Sequence, residues 1–206
     1  MITFCGWQFI KPFFVKVFYL VWFFLNLPCL LASRVRFSWD LQLNGFLFVK
    51  NNGNFYIARG VRINSSPTSN PIGSGSRSFF QILKGGSLSI HSSSRISNVA
   101  ITAANSVTIG RNVFIGSGVA IFDTDFHPLH YCNRGNPASL ATIKTKPISI
   151  HDNCFIGARS IILKGVTIGC GAVVGAGSVV TRDIPPLEIW AGNPARLVAK
   201  LGQTSN

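Results

Sequence analysis

The stretch "IFDTDFHPLHY", residues 121–131, brings Asp123, Asp125, His127 and His130 together in a chain of 206 residues that has 6 acidic side chains and 4 histidines. Carboxylates two and four positions before a histidine suit a general base. The imidazole takes a proton near neutral pH, and a carboxylate partner fixes its tautomer. His127 is therefore the candidate base, with Asp125 or Asp123 as its orienting partner; the spacing does not choose between them. Pro128 restricts the backbone at His127. His130 is a further candidate, for contact with a substrate, while His91 and His151 read as surface residues.

What must position these residues is a six-residue period. From Ile150 an aliphatic residue recurs at Ile156, Ile162, Ile168, Val174 and Val180, and the same frame appears earlier at Ile109 and Ile115. Neither a helix nor a flat strand repeats every six. A β-solenoid does, each hexad forming one face of a coil. The aliphatic residue points inward, and Cys154, Ser160, Val166, Ala172, Ser178 and Ile184 in the fifth slot keep the interior from overfilling. Ile57 with Ile63, and Ile90 with Ile96, extend the pattern upstream, while residues 64–78 read as a Ser/Pro/Gly loop or a loosened coil. After Ile121 the frame fails: Phe122 takes the glycine slot and Asp125 the small-residue slot. An unpartnered carboxylate cannot enter an apolar coil. The spacing thus predicts an extruded loop over about 122–147, with hexads resuming at Ile150.

These hexads, the "DTDFHP" break and the tail "VGAGSVVTRDIPPLEIWAGNPARLVAKL" resemble the hexapeptide-repeat acyltransferases, in particular the sugar O-acetyltransferase branch. The resemblance implies a mainly β fold, a single-stranded left-handed parallel β-helix with triangular coils. An N-terminal apolar helix and a short C-terminal helical segment complete the expectation. It also implies homotrimers with acetyl-CoA as co-substrate between subunits, and a histidine that deprotonates a sugar hydroxyl for direct attack on the thioester, with no metal. Carried over residue by residue, Ala158 falls beside the thioester carbonyl, where a backbone amide stabilises an oxyanion. Ala176 falls on the pantetheine arm, Thr181 and Arg182 near the far end of the cofactor, and Arg196 near the nucleotide phosphates. Asn98 is the candidate acceptor contact upstream of the repeat. The expected function is O-acetylation of a sugar or of a polysaccharide or lipid-linked glycan precursor. N-acylation of an amino sugar or antibiotic, and a non-catalytic scaffold, are the alternatives. Carbonic anhydrases share this class of fold, but the spacing of His127, His130 and His151 does not match their three-histidine zinc site.

Composition sets the wider frame. Nearly half the residues, 47%, are apolar, which speaks against disorder. The 19 Lys and Arg give a formal charge of +13, which attracts anionic surfaces and phosphorylated ligands. The basic residues are scattered singly, without a nucleic-acid-binding signature. Five cysteines, odd in number and without CxxC spacing, suit a reducing compartment, with packing roles for Cys154 and Cys170. Two regions are expected: an apolar, basic-flanked segment over 1–36 and the acyltransferase domain over 37–206, with a tail from 185. The Phe- and Trp-rich residues 7–32 suit a helix lying on the inner face of the cytoplasmic membrane. A helix docked on the body and a cleaved signal peptide are the other readings.

Overall fold

The computed structural model describes residues 7–67, 72, 76–136 and 141–202, and in the N-terminal helix the side chains from residue 15 onward. The chain climbs a triangular staircase of short parallel strands. Among the described residues its faces hold six, eight and six strands. Each coil visits the first, second and third face in turn, as in Ser106–Ile109, Phe114–Ile115 and Ala120–Phe122. This is the parallel β-helix expected from the period, left-handed as the resemblance implies.

The inward aliphatics stack in three columns, one per face. The first runs Ile57, Ile90, Ile109, Ile150, Ile168. The second runs Leu43, Ile63, Ile96, Ile115, Ile156, Val174. The third runs Phe80, Ile101, Ile121, Ile162, Val180. Rungs about 4.8 Å apart place each branched side chain in contact with its equivalents above and below. The fifth-slot residues Cys154, Ser160, Val166, Ala172, Ser178 and Ile184 are all buried. Cys170 is exposed at a corner, so the packing role expected for it does not hold, whereas Cys154 is fully buried.

Both ends are closed, by different means. The helix α1, Trp7–Ala32, lies against the first coil. Phe23 and Leu30 enter the core, and the Asn26 side chain accepts from the Leu47 amide and donates to the Gly45 carbonyl. The opposite face of α1 stays apolar and exposed at Val17, Leu20, Val21, Phe24 and Leu31. The other end corrects an expectation. The segment expected as a short C-terminal helix is an antiparallel hairpin, Glu188–Gly192 with Ala195–Lys200. Val173 and Val174 would otherwise present an unpaired strand edge, which Ile189 and Trp190 complete. Gly192, at φ 101°, then turns the chain back on itself.

Candidate functional site

The loop begins where expected. The third-face strand ends at Phe122 and the first face resumes at Ile148, two residues before the expected Ile150. Residues 137–140 lie outside the described part. The stem is a short antiparallel pairing: Thr124 bridges Thr145, the Asp125 amide donates to the Lys144 carbonyl, and the Lys146 amide donates to the Asp123 carbonyl.

The two aspartates have separate tasks. The carboxylate that turns inward is Asp123, not Asp125. It is fully buried and accepts from the amides of Ala104 at 2.6 Å and Asn105 at 2.8 Å, one coil below. Burial pushes its carboxyl above the usual range, against the opposing pull of those amides. Asp125 is half-buried and pairs with Lys164 at 2.5 Å, while its Oδ2 has no hydrogen-bond partner. Among the described residues, no hydrogen bond or ion pair joins either carboxylate to His127. The expectation that sequence proximity would orient the imidazole is thus not what this geometry shows. Lys164 is the residue that reading the sequence missed. Its signal was there in "ILKG", a cation beside the corner glycine Gly165 in a region otherwise poor in charge.

Between these anchors the backbone is strained. Phe126, at φ 60°, is the centre of a tight γ-turn closed by the His127 amide on the Asp125 carbonyl at 2.7 Å. A positive φ at a bulky residue costs on the order of 1–3 kcal/mol. The Phe126 ring rests on Phe122 at 5.4 Å, and Pro128 is buried behind it. His127 is held outward and exposed between them. His130 is also exposed and stacks on Tyr131 at 5.1 Å.

The remaining candidates sit elsewhere on the triangle. Ala158 and Ala176 occupy successive rungs of the corner between the second and third faces. Gly116 lies on the rung below; a Cβ there would come within 2.6 Å of the Ala158 nitrogen, so glycine permits the close approach of the two rungs beside that amide. Arg196 belongs to the hairpin that extends the second face, opposite Ala191. Thr181 and Arg182 are exposed at the corner between the third and first faces, the same corner from which the loop departs. His127 and Ala158 therefore stand at different corners of one chain, separated by a whole face, roughly 15 Å for four to five extended residues. Asn98, the candidate acceptor contact, is buried. Its amide donates to the Ser66 carbonyl and its Oδ1 has no partner, so in this geometry it braces a corner.

A family model described as hexapeptide repeat of succinyl-transferase matches residues 147–182. The chain is similar to the galactoside O-acetyltransferase of Escherichia coli, 41% identical over 104 residues, or 50% of this chain and 49% of that one. It spans about half the length of the curated relatives it matches. Among solved structures, a hexapeptide-repeat-containing acetyltransferase of Vibrio cholerae is 34% identical over 60% of this chain and 68% of its own, with a TM-score of 0.53; it has also been solved with acetyl coenzyme A. An N-acyltransferase of Bacillus cereus shares the fold at 19% identity and a TM-score of 0.65, over 86% of this chain and 89% of its own.

Proposed function

The chain belongs to the hexapeptide-repeat acetyltransferases, and from that premise we propose that it moves an acetyl group from acetyl-CoA to a hydroxyl of a sugar or of a lipid-carried glycan precursor. The observation that carries this reading is His127, an exposed imidazole on a strained turn, anchored on both sides where the hexad frame breaks. His127 takes the hydroxyl proton as the oxygen attacks the thioester carbonyl. The Ala158 amide receives the developing oxyanion, and the imidazolium returns the proton to the departing thiolate. Neither an acyl-enzyme nor a metal is required. Of the two aspartates, Asp125 keeps an oxygen for the imidazole, because both oxygens of Asp123 are held by amides.

The separation of His127 from Ala158 supports a site completed by a second copy, whose loop reaches the corner bearing Ala158. This is the arrangement of a homotrimer. The exposed apolar stripe of α1 and the charge of +13 support attachment to an anionic membrane surface on the cytoplasmic side. Val15–Ala32 is long and apolar enough to cross a bilayer. Because Phe23, Asn26 and Leu30 are sealed against the first coil, a helix lying along the surface suits the fold better than a lipid-wrapped span.

The test is thiol release from acetyl-CoA by the purified chain with a panel of sugar hydroxyl and amine acceptors. Release with hydroxyl acceptors is the expected result. Transfer confined to amines would replace this reading, and silence with every acceptor would favour a scaffold. Cosedimentation with vesicles containing anionic lipid, lost when Phe24 is changed to Glu, is the expected membrane result.

A further inference from the structure

The outer surface of the second face carries a groove of about 320 Å³ with Ala158 and Gly116 at one end. At the other end lie Arg62 and Arg95, directly opposite each other on neighbouring parallel strands. Phe114 and Phe155 continue the same register towards Ala158, and both are about half exposed. The groove is thus cationic at one end and apolar at the other, and the apolar end adjoins the amide that would hold the oxyanion.

Like charges facing each other on paired strands repel, and among the described residues no carboxylate offsets them. Among the described residues the ion pairs are Lys164–Asp125 and Lys200–Glu188, so neither guanidinium has a carboxylate partner. Neutral groups orient both instead. Arg62 donates from Nε and Nη2 to the Gln42 side-chain oxygen, at 2.9 and 2.7 Å, and stacks on Tyr19 of α1 at 5.0 Å. Arg95 lies over the Phe114 ring at 5.2 Å. Stacking on rings fixes a guanidinium plane and leaves N–H edges available for an anion.

We infer that this groove binds the acceptor, and that the acceptor carries a phosphate or diphosphate on its sugar. The sugar face lies on Phe114 and Phe155 with a hydroxyl towards Ala158, and the phosphate lies between Arg62 and Arg95. The inference rests on the acyl-transfer reading for the role of Ala158, but the anion site stands on its own geometry. Direction favours an acceptor over the donor: Ala158, Ala176 and Arg196 ascend towards the C-terminal hairpin, whereas Arg95 and Arg62 descend towards α1. A phosphate held there is beside the helix proposed to meet the membrane. A lipid-carried sugar phosphate and a nucleotide-carried one share this chemistry.

The experiment is calorimetric titration of the full chain with inorganic pyrophosphate, with coenzyme A saturating so that the donor's own phosphate positions are filled. Binding is expected in the parent and in Arg62→Lys/Arg95→Lys, and at least tenfold weaker in Arg62→Gln/Arg95→Gln. Equal affinity in the parent and the Gln pair overturns the site. Circular dichroism of the Gln pair establishes that its coils remain. In turnover, a sugar 1-phosphate is expected to exceed the methyl glycoside of the same sugar at least tenfold in kcat/KM, and the ratio to collapse in the Gln pair. A parent that favours the neutral glycoside overturns the inference. Comparing the sugar on polyprenyl diphosphate with the sugar on a nucleotide then identifies the source of the phosphate. Failure of the transfer reading looks different: no thiol is released with any acceptor, whatever the pyrophosphate titration shows.

Discussion

The coils of residues 148–184 and the loop of 123–147 are adjacent in sequence and opposite in design. In the coils every sixth residue is aliphatic and buried, and the fifth slot is buried and mostly small. Such a wall can offer a substrate only its backbone, as at the buried Ala158, and whatever projects outward, as Ala176 does. The loop drops the frame and gains side chains with chemistry, and it must then be held by other means: a buried carboxylate on two amides, an ion pair and a strained turn. Stability and reactivity are therefore assigned to different stretches of chain.

The sharpest way to break that division is to exchange the losses. His127→Ala is expected to lower kcat/KM by about 10²–10⁴ with the thermal midpoint unmoved. Ile162→Ala, in the third column, is expected to lose about 2–5 kcal/mol of stability by denaturant titration. A His127→Ala variant with parental turnover would remove the loop from the mechanism.

Asp123→Asn belongs to both regions, since its carboxylate ties the loop to the coil below. A loss of about 1–3 kcal/mol is expected from one weakened buried acceptor. Its pH dependence adds a second readout. Burial raises the folded-state carboxyl above its unfolded value, so the folded form binds the proton more tightly. This group's contribution to stability falls as pH rises from the ordinary carboxylate range through the raised value. Thermal melts of parent and variant across that window should diverge in slope, with the variant flatter.

Lys164→Met removes the ion pair to Asp125 while leaving the coil. We expect about a tenfold fall in kcat/KM through misplacement of the turn, with little change in the melt, and partial recovery in the double variant with Asp125→Asn. The smallest effect concerns thiols. A neutral-pH thiol reagent should label the exposed Cys132 and Cys170 in the folded chain and spare Cys154, whose thiol is buried and pushed up to about 11.

The difference between regions also explains what could be read from sequence. Ile150 to Val180 reveal the solenoid because each inward slot accepts few residue types, and even the weak pairs Ile57/Ile63 and Ile90/Ile96 take their places in the columns. The loop's limits follow from the same frame. Its internal wiring does not, because the partners of Asp123 and Asp125 lie 18 to 39 residues away. Sequence proximity suggested that one of the two carboxylates would orient His127; instead, stacking of coils brings Ala104 and Asn105 to Asp123 and Lys164 to Asp125. The terminal hairpin was hidden for a similar reason, since its strand character comes from the waiting edge at Val173 and Val174.

That hairpin has a further consequence. A column of parallel rungs has no intrinsic length, and an unfinished last rung invites another molecule to continue it. By reversing direction at Gly192, the chain makes its outermost strand, Ala195–Lys200, run against the grain and carry Arg196 and Lys200 outward. Such a border is a poor template for further addition. The turn that ends the second face thus acts as punctuation, keeping a pattern capable of indefinite growth to a molecule of fixed height.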